Sequence, residues 1–70
     1  MKKIAIETDH IKLDSFLKLV GEASTGGETK NLILGGFVTV SGELCCQRGK
    51  KITPNVEVNV NGNKYKVTKE

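Results

Sequence analysis

Aromatic residues are scarce in this chain of 70 residues, which has two phenylalanines, one tyrosine and no tryptophan. A protein surface that stacks unpaired nucleic-acid bases needs exposed rings. Because only Phe16, Phe37 and Tyr65 are available, the composition argues against a sheet that serves as such a stacking platform.

Long apolar runs are also lacking, since no stretch approaches the roughly 20 residues that a membrane-spanning helix needs. The N-terminus carries Lys2 and Lys3 but meets the acidic residues Glu7 and Asp9 soon afterwards, which does not fit a signal peptide. We therefore expect a cytoplasmic protein with no membrane partner. The length allows one domain, residues 1–70, with a small core.

Residues with catalytic or metal-binding chemistry are few. His10 is the only histidine, and the two cysteines, Cys45 and Cys46, are adjacent. Neighbouring residues on a strand point to opposite faces, so we expect two reduced thiols rather than a disulfide. A zinc site would need more ligands. No serine has an identifiable base nearby. The sequence thus predicts no enzyme, no cofactor and no small-molecule substrate.

Two helices are indicated after a first strand, which the alternation of Ile4 and Ile6 predicts over residues 3–8. The first helix has apolar residues at the i, i+3, i+4, i+7 spacing from Leu13 to Val20 and ends near Gly21. Lys18 lies opposite this stripe.

The second helix has a capping box, with Thr25 as the N-cap and Glu28 three positions later. Gly35 and Gly36 predict its end.

From Phe37 onward the apolar period changes to two, which indicates strands. The apolar positions are Val38, Val40, Val56, Val58, Val60, Tyr65 and Val67. Ser41-Gly42 predicts a turn into a partner strand over residues 43–47, and Asn61-Gly62 is a strong hairpin signal. The predicted fold class is α+β, with two short packed helices followed by a small antiparallel β-sheet.

The formal net charge of +3 is carried entirely by the middle of the chain. Between Thr29 and Val56, the cations Lys30, Arg48, Lys50 and Lys51 face the single acid Glu43. The seven lysines and seven acids elsewhere cancel. Concentrated positive charge attracts a polyanion more strongly than the same charge spread evenly, and Arg48 can bind a phosphate bidentately. Lys12 and Lys18 are weaker candidates, because Asp14 and Glu22 lie nearby in the sequence and Glu22, at i+4 from Lys18, is placed to neutralise it.

Gly26 and Gly27, at the start of the second helix, allow two explanations. The chain could need them for a tight turn from the preceding loop into the helix. Alternatively, bare backbone N–H groups at a helix N-terminus let a phosphate approach closely. Glu28 complicates the second explanation because its carboxylate would repel a phosphate. The two explanations have about equal weight.

The middle of the chain resembles the RNA-binding domain of the ribosomal-protein S-four type, and within it the small stand-alone YaaA-like group. The resemblance covers residues 11–60. The residues that carry it are Lys12-Leu13-Asp14-Ser15-Phe16-Leu17-Lys18, Ser24-Thr25-Gly26-Gly27-Glu28-Thr29-Lys30, Ile33, Gly36, Val38, Val40, Gly42 and Arg48-Gly49-Lys50-Lys51. Departures from the family pattern are Thr29, Ser41, Cys45-Cys46 and Thr53-Pro54-Asn55.

The resemblance implies an αL motif that binds structured RNA, with ribosomal RNA, the ribosomal subunit or its precursors as partners and a role in ribosome assembly. Transferred by position, the RNA-binding residues are Lys12, Lys18, Thr25, Gly26, Gly27, Lys30, Arg48, Lys50 and Lys51.

Two other functions stay open. In one, the basic loop docks on an acidic protein partner, and the hairpin of residues 56–67 offers an edge strand. In the other, Cys45 and Cys46 form a redox or metal-responsive regulator.

Overall fold

The structure, a computed structural model, describes residues 1–44 and 47–70. The predictions made for Cys45 and Cys46 lie outside these residues. The elements are β1 (Lys2–Ile6), β2 (Ile11–Lys12), α1 (Leu13–Leu19), α2 (Gly26–Leu34), β3 (Val38–Val40), β4 (Glu43–Leu44), β5 (Lys51–Ile52), β6 (Glu57–Val60) and β7 (Asn63–Lys69). The α+β class is therefore confirmed.

Helix α1 buries the stripe that the sequence predicts, with Phe16 and Leu17 fully enclosed. The helix ends at Leu19, and Gly21 beyond it has a φ of 84°, a left-handed conformation that glycine adopts without steric cost. The Glu22 N–H then donates to the Leu17 carbonyl at 3.0 Å, the long bond of a Schellman motif. The helix thus stops where the sequence predicts.

Helix α2 ends in the same way. Gly36 has a φ of 83°, and the Phe37 N–H donates to the Leu32 carbonyl at 3.1 Å. On its inner face Ile33 and Thr29 are buried, and the Thr29 hydroxyl donates to the Gly26 carbonyl at 2.7 Å. This bond satisfies the one buried polar side chain among the described residues.

The main sheet has five strands in the order β1-β7-β6-β3-β4. Two-residue turns join β3 to β4 and β6 to β7, and both turns have positive φ at each central residue: 53° and 83° at Ser41 and Gly42, 51° and 84° at Asn61 and Gly62. These are the type I′ turns that match the twist of a hairpin. Both predicted turns are confirmed.

The sheet differs from the prediction in one respect: it is mixed, because β1 runs parallel to β7. In this pairing Ile4 lies opposite Val67. No local sequence pattern predicts a pairing between the two ends of a chain. As a consequence, β6 and β7 are interior strands and the edges are β1 and β4. The prediction that the hairpin of residues 56–67 offers an edge strand is therefore wrong.

A second, two-stranded ribbon pairs β2 with β5 antiparallel. Each strand has only two residues, which is too few for an alternating pattern, so neither strand is predicted from the sequence. Ile52 is buried and lies opposite Ile11, so the ribbon is attached to the core.

The helices pack on one face of the main sheet. Phe16 of α1 meets Tyr65 of β7 edge to face, with ring centroids 5.9 Å apart and an interplanar angle of 83°. Edge-to-face aromatic pairs add about 0.5–1.5 kcal/mol beyond the area that they bury.

Candidate nucleic-acid interface

The basic loop, defined here as residues Arg48 to Lys51, ends on the first residue of β5. The Lys50 N–H donates to the Gln47 carbonyl at 3.3 Å and closes a turn, and all four loop residues are exposed. Gly49 lies at the tip, where an added methyl group would meet no atom within 4 Å. The loop is therefore held by its backbone, while its side chains face solvent.

The loop also caps helix α1. The Leu13 N–H donates to the Lys50 carbonyl at 2.9 Å, and the Asp14 N–H donates to the Arg48 carbonyl at 3.1 Å. The first N–H groups of a helix have no partner within the helix, and a side chain usually accepts from them. Here the N-cap residue, Lys12, makes no side-chain cap bond. The loop carbonyls take over this role, and so the loop is fixed against the start of α1.

The ribbon brings Lys12 directly opposite Lys51. Like charges at opposed positions of an antiparallel pair repel each other, and their side chains leave the pair on the same face. Both lysines are exposed. Together with the loop they form the basic cluster: Lys12, Arg48, Lys50 and Lys51. In the described parts of the chain the one ion pair joins Lys69 Nζ to Asp9 Oδ1 at 2.7 Å, so the cluster has no internal counter-charge.

Lys12 is thus a stronger candidate than its sequence neighbours indicate. Asp14 is close to Lys12 in the sequence, but no ion pair forms between Lys12 and Asp14 in the described residues. Only the β2–β5 pairing reveals its position, and this pairing spans 39 residues of sequence.

The start of α2 has the predicted capping box. The Thr25 hydroxyl accepts from the Glu28 N–H at 3.1 Å, and the Glu28 carboxylate accepts from the Ser24 N–H at 3.0 Å. The carboxylate therefore reaches back past the N-cap residue to Ser24. In this position Glu28 acts as a cap, and it is held by the chain before the helix.

Gly26 and Gly27 are exposed, and neither has a positive φ. A methyl group added at Gly26 would meet no atom within 4 Å, and one added at Gly27 would approach only the Thr25 hydroxyl, at an ordinary 3.8 Å. Alanine would therefore fit at both positions. The explanation by a tight turn into the helix loses its support, since neither the backbone nor the packing requires glycine here.

The other two predicted lysines lie on the helices, away from the loop's backbone contacts. Lys30 is exposed one turn after Gly26, on the same side of α2. Lys18 is exposed in the last turn of α1, about 8 Å along the helix from the end that the loop caps. The expected neutralisation of Lys18 by Glu22 does not occur, because Glu22 lies beyond the helix and binds elsewhere.

Glu22 joins the α1–α2 connection to β7. Its Oε2 accepts from the Tyr65 hydroxyl at 2.5 Å and from the Asn63 amide at 2.9 Å. This hydrogen bond, with burial and the nearby charge of Glu22, raises the pKa of the Tyr65 phenol. At the end of β7, the hydrogen bond and charge of Lys69 lower the pKa of Asp9. Both shifts belong to contacts outside the basic cluster.

We also searched the described residues for a metal site and for a membrane-spanning helix. Residues 1–44 and 47–70 contain no group of three or more histidine, cysteine or acidic side chains that could hold a metal ion. None of the helices in this part of the chain has the length and apolar character needed to cross a membrane.

The structure is thus a small α+β domain that carries the four exposed cations of the basic cluster. A model of the S4 domain family matches residues 4–68, and the chain belongs to this family. The predicted family is thereby confirmed. S4-type domains are non-enzymatic binding modules, in agreement with the expectation that the chain is not an enzyme.

Two solved structures are similar. The solution structure of YbcJ from E. coli, described as revealing an αL motif involved in RNA binding, has a TM-score of 0.73 and 28% identity, over 97% of this chain and 87% of YbcJ. The 30S ribosomal protein S4e from Thermoplasma acidophilum has a TM-score of 0.65 and 17% identity, over 86% of this chain and 32% of S4e. The second likeness shows the fold alone. No curated protein matches the chain significantly.

Proposed function

We propose that this protein binds structured RNA through phosphate and shape contacts, with the basic cluster as the centre of its binding surface. The αL motif of YbcJ, which shares the fold over nearly the whole chain, is described as involved in RNA binding. Duplex regions of RNA are recognised mainly by their shape and by contacts with phosphates and 2′-hydroxyls. Exposed lysines and one arginine suit that mode of recognition.

The observation that carries the proposal is the like-charge pair of Lys12 and Lys51. A fold that places two lysines opposite each other loses some stability. The cost is removed when a phosphate lies between the ammonium groups. Arg48 and Lys50 stand beside this pair, and their carbonyls are occupied by α1 while their side chains are exposed. The arrangement favours an anionic partner over solvent.

The start of α2 extends this surface in the proposal. Gly26 and Gly27 expose backbone N–H groups at the positive end of the helix dipole, and Lys30 follows on the same side. A phosphate could approach these groups more closely than it could approach alanine. Thr25 contributes by fixing the start of the helix, and Lys18, exposed in the last turn of α1, completes the nine predicted positions.

Ribosomal RNA is the proposed partner, and the ribosomal subunit or its precursors are the proposed context, with ribosome assembly as the role. The support is that S4e, a protein of the 30S subunit, contains the same fold in about a third of its length. A cytoplasmic location accompanies this proposal.

Salt dependence tests the binding mode. Four phosphate contacts from the basic cluster give a plot of log K against log salt concentration with a slope of about −3. We expect this slope when a labelled RNA hairpin is titrated with the protein, and fluorescence anisotropy measures the affinity at several salt concentrations. A flat plot would contradict the proposal.

A charge-matched pair of variants locates the surface. The double variant Lys50→Gln/Lys51→Gln and the single variant Lys2→Glu each lower the net charge by two, but Lys2 lies on the edge strand β1 of the other sheet. We expect the double variant to lose at least about tenfold in affinity and to flatten the slope to about −1.5. Lys2→Glu should change both much less. Equal losses in the two variants would show that only net charge matters.

The competing functions predict other results. A module that docks an acidic protein would bind polyglutamate as tightly as RNA at the same ionic strength. A regulator that uses Cys45 and Cys46 would lose RNA binding in the variant Cys45→Ser/Cys46→Ser, whereas we expect this variant to bind as the wild type does.

A further inference from the structure

Within residues 1–44 and 47–70, no element covers the face of the main sheet that lies opposite the helices. Residues paired across antiparallel strands share a face, and the core valines of β3 and β6 occupy the face towards α1. The residues of the other face are Lys3, Ala5, Thr39, Leu44, Glu57, Asn59, Lys64, Lys66 and Thr68. None of them is buried. We call this surface the open face.

One row of the open face contains an apolar, a hydroxyl, an amide and an ammonium side chain. The pairings place Leu44, Thr39, Asn59 and Lys64 side by side across four neighbouring strands. With strands about 4.8 Å apart, the row spans about 14 Å. It begins with an apolar side chain that is 61% exposed at the edge and ends with an ammonium group. A hydroxyl and an amide stand between them.

Phe37 adds an exposed ring beside this row. It precedes β3 by one residue, and its carbonyl accepts from the Asn61 N–H at 3.1 Å, which continues the ladder between β3 and β6. Alternation along the extended chain therefore puts Phe37 on the same side as Thr39. The ring is 56% exposed, whereas Phe16 and Tyr65 are buried.

The ring of Phe37 is held in place from below. A methyl group added at Gly35 would lie 2.8 Å from the ring carbon Cε2, so the ring rests on bare glycine backbone. Leu44 similarly lies over Gly36, at 3.8 Å from an added methyl group. The ring is thus fixed on one side and open on the other. An aromatic side chain in this state offers a surface on which a base can stack.

The charges of the open face favour a polyanion. Lys3 lies opposite Lys66 on neighbouring strands, and Lys64 is two residues from Lys66 on β7. The one acid of the face is Glu57, which lies opposite Lys66 in the register of β6 and β7. Three cations against one acid leave positive charge next to the polar row, and Asn59 offers an amide for hydrogen bonds to a base edge.

We propose that the open face binds two or three unpaired nucleotides of the same RNA, with a base stacked on Phe37 and phosphates near Lys64 and Lys66. Sheets that stack two or three bases use one aromatic ring for each base, so the single exposed ring of Phe37 holds one base, and the remainder of the 14 Å row, with Asn59 and Lys64, contacts the adjacent nucleotides. This inference rests on the proposed function and deepens it: the preferred RNA has single-stranded nucleotides beside its structured part.

The test compares two labelled RNA hairpins that differ only in a 3′ overhang of three adenosines. The variants are Phe37→Leu, which keeps an apolar side chain but removes the ring, and Lys50→Gln/Lys51→Gln. We expect wild type to bind the hairpin with the overhang about tenfold more tightly than the blunt hairpin. Phe37→Leu should lose this advantage and bind the blunt hairpin as wild type does. The lysine variant should weaken the binding of both RNAs.

A second measurement needs no variant: 2-aminopurine in the overhang should lose fluorescence when wild type binds, because stacking on the ring quenches it. Equal affinity of wild type for both hairpins, or undiminished preference in a folded Phe37→Leu, would overturn the inference while leaving the proposed function intact. Failure of the lysine variant to weaken either RNA would instead contradict the proposed function. Self-association of wild type that Phe37→Leu abolishes, with both hairpins bound equally, would assign the open face to contact between copies and also overturn the inference.

Discussion

Lys12 and Lys51 face each other across a ribbon of only two residues per strand, and the described residues contain no acid paired with either. The pairing connects the residue before the first helix to the first residue of β5, 39 positions later in the sequence. Repulsion between the two ammonium groups makes this ribbon less stable than its hydrogen bonds alone would allow. An RNA phosphate is the partner that would reverse this effect.

Substitution of the glycines at the start of α2 should change the stability of the fold and the affinity for RNA in opposite directions. Gly26→Ala and Gly27→Ala should each raise the stability of the fold by up to about 0.5 kcal/mol, because alanine favours a helix and its methyl group meets open space. The affinity for an RNA hairpin should fall at least about threefold in each variant, since the methyl group holds a phosphate away from the backbone. Thermal melting and anisotropy titrations measure the two effects.

Loss of stability in these alanine variants would restore the explanation by a tight turn into the helix. Unchanged affinity would remove both glycines from the RNA-binding surface.

Tyr65 should make the stability of the fold fall at alkaline pH. Its hydrogen bond to Glu22 raises the pKa of the phenol, so the folded state holds this proton more tightly than the unfolded state. The stabilisation from this contact is therefore fully present below about pH 10 and is lost as the pH rises further. Urea denaturation at a series of pH values should show this decline in the wild type.

Tyr65→Phe should lose about 1–2 kcal/mol at neutral pH, because it leaves the Glu22 carboxylate with one partner fewer. The difference in stability between wild type and variant should then shrink above pH 10. A difference that stays constant up to pH 11 would show that the hydrogen bond to Glu22 does not control the titration. Glu22→Gln, which keeps an acceptor and removes the charge, should also reduce the alkaline decline.

The two type I′ turns allow a reciprocal exchange. Ser41 has a φ of 53° and Asn61 a φ of 51° at equivalent turn positions, and asparagine tolerates this conformation better than serine. Ser41→Asn should therefore raise the melting temperature by about 2–4 °C, which corresponds to about 0.5 kcal/mol. Asn61→Ser should lower it by a similar amount. Changes of the same sign in both variants would contradict this account of the turns.

The sequence predicted those parts of the fold that depend on local signals. The apolar stripe of α1, the Thr25 cap of α2, the glycines that end both helices and the two turns all lie within a few residues of the structure they specify. The parts that it missed depend on pairing between distant segments. Ile4 pairs with Val67, and Ile11 pairs with Ile52, because the whole chain packs in this way; no pattern in either segment predicts these strand pairings.

The same distinction applies to the candidate site. Charge counting identified Arg48, Lys50 and Lys51, because a run of cations without nearby acids is visible in the sequence. Asp14, which is near in sequence, placed Lys12 below these three residues, whereas Lys51 lies opposite Lys12 in space. Composition also treats the few aromatic residues as a group, although burial divides them and leaves Phe37 exposed. The transfer of the nine RNA-binding positions from the family stays a prediction until binding is measured.

The central claim is that the basic cluster is arranged for an anionic partner at some cost in stability, and Lys51→Glu tests it most directly. This change replaces the repulsion at Lys12 with an attraction. Thermal melting and RNA affinity should be measured on the same preparation. The account predicts a melting temperature higher by about 2–4 °C and an affinity for the RNA hairpin lower by at least about tenfold. A variant that melts at or below the wild-type temperature and binds RNA as tightly as wild type would contradict it.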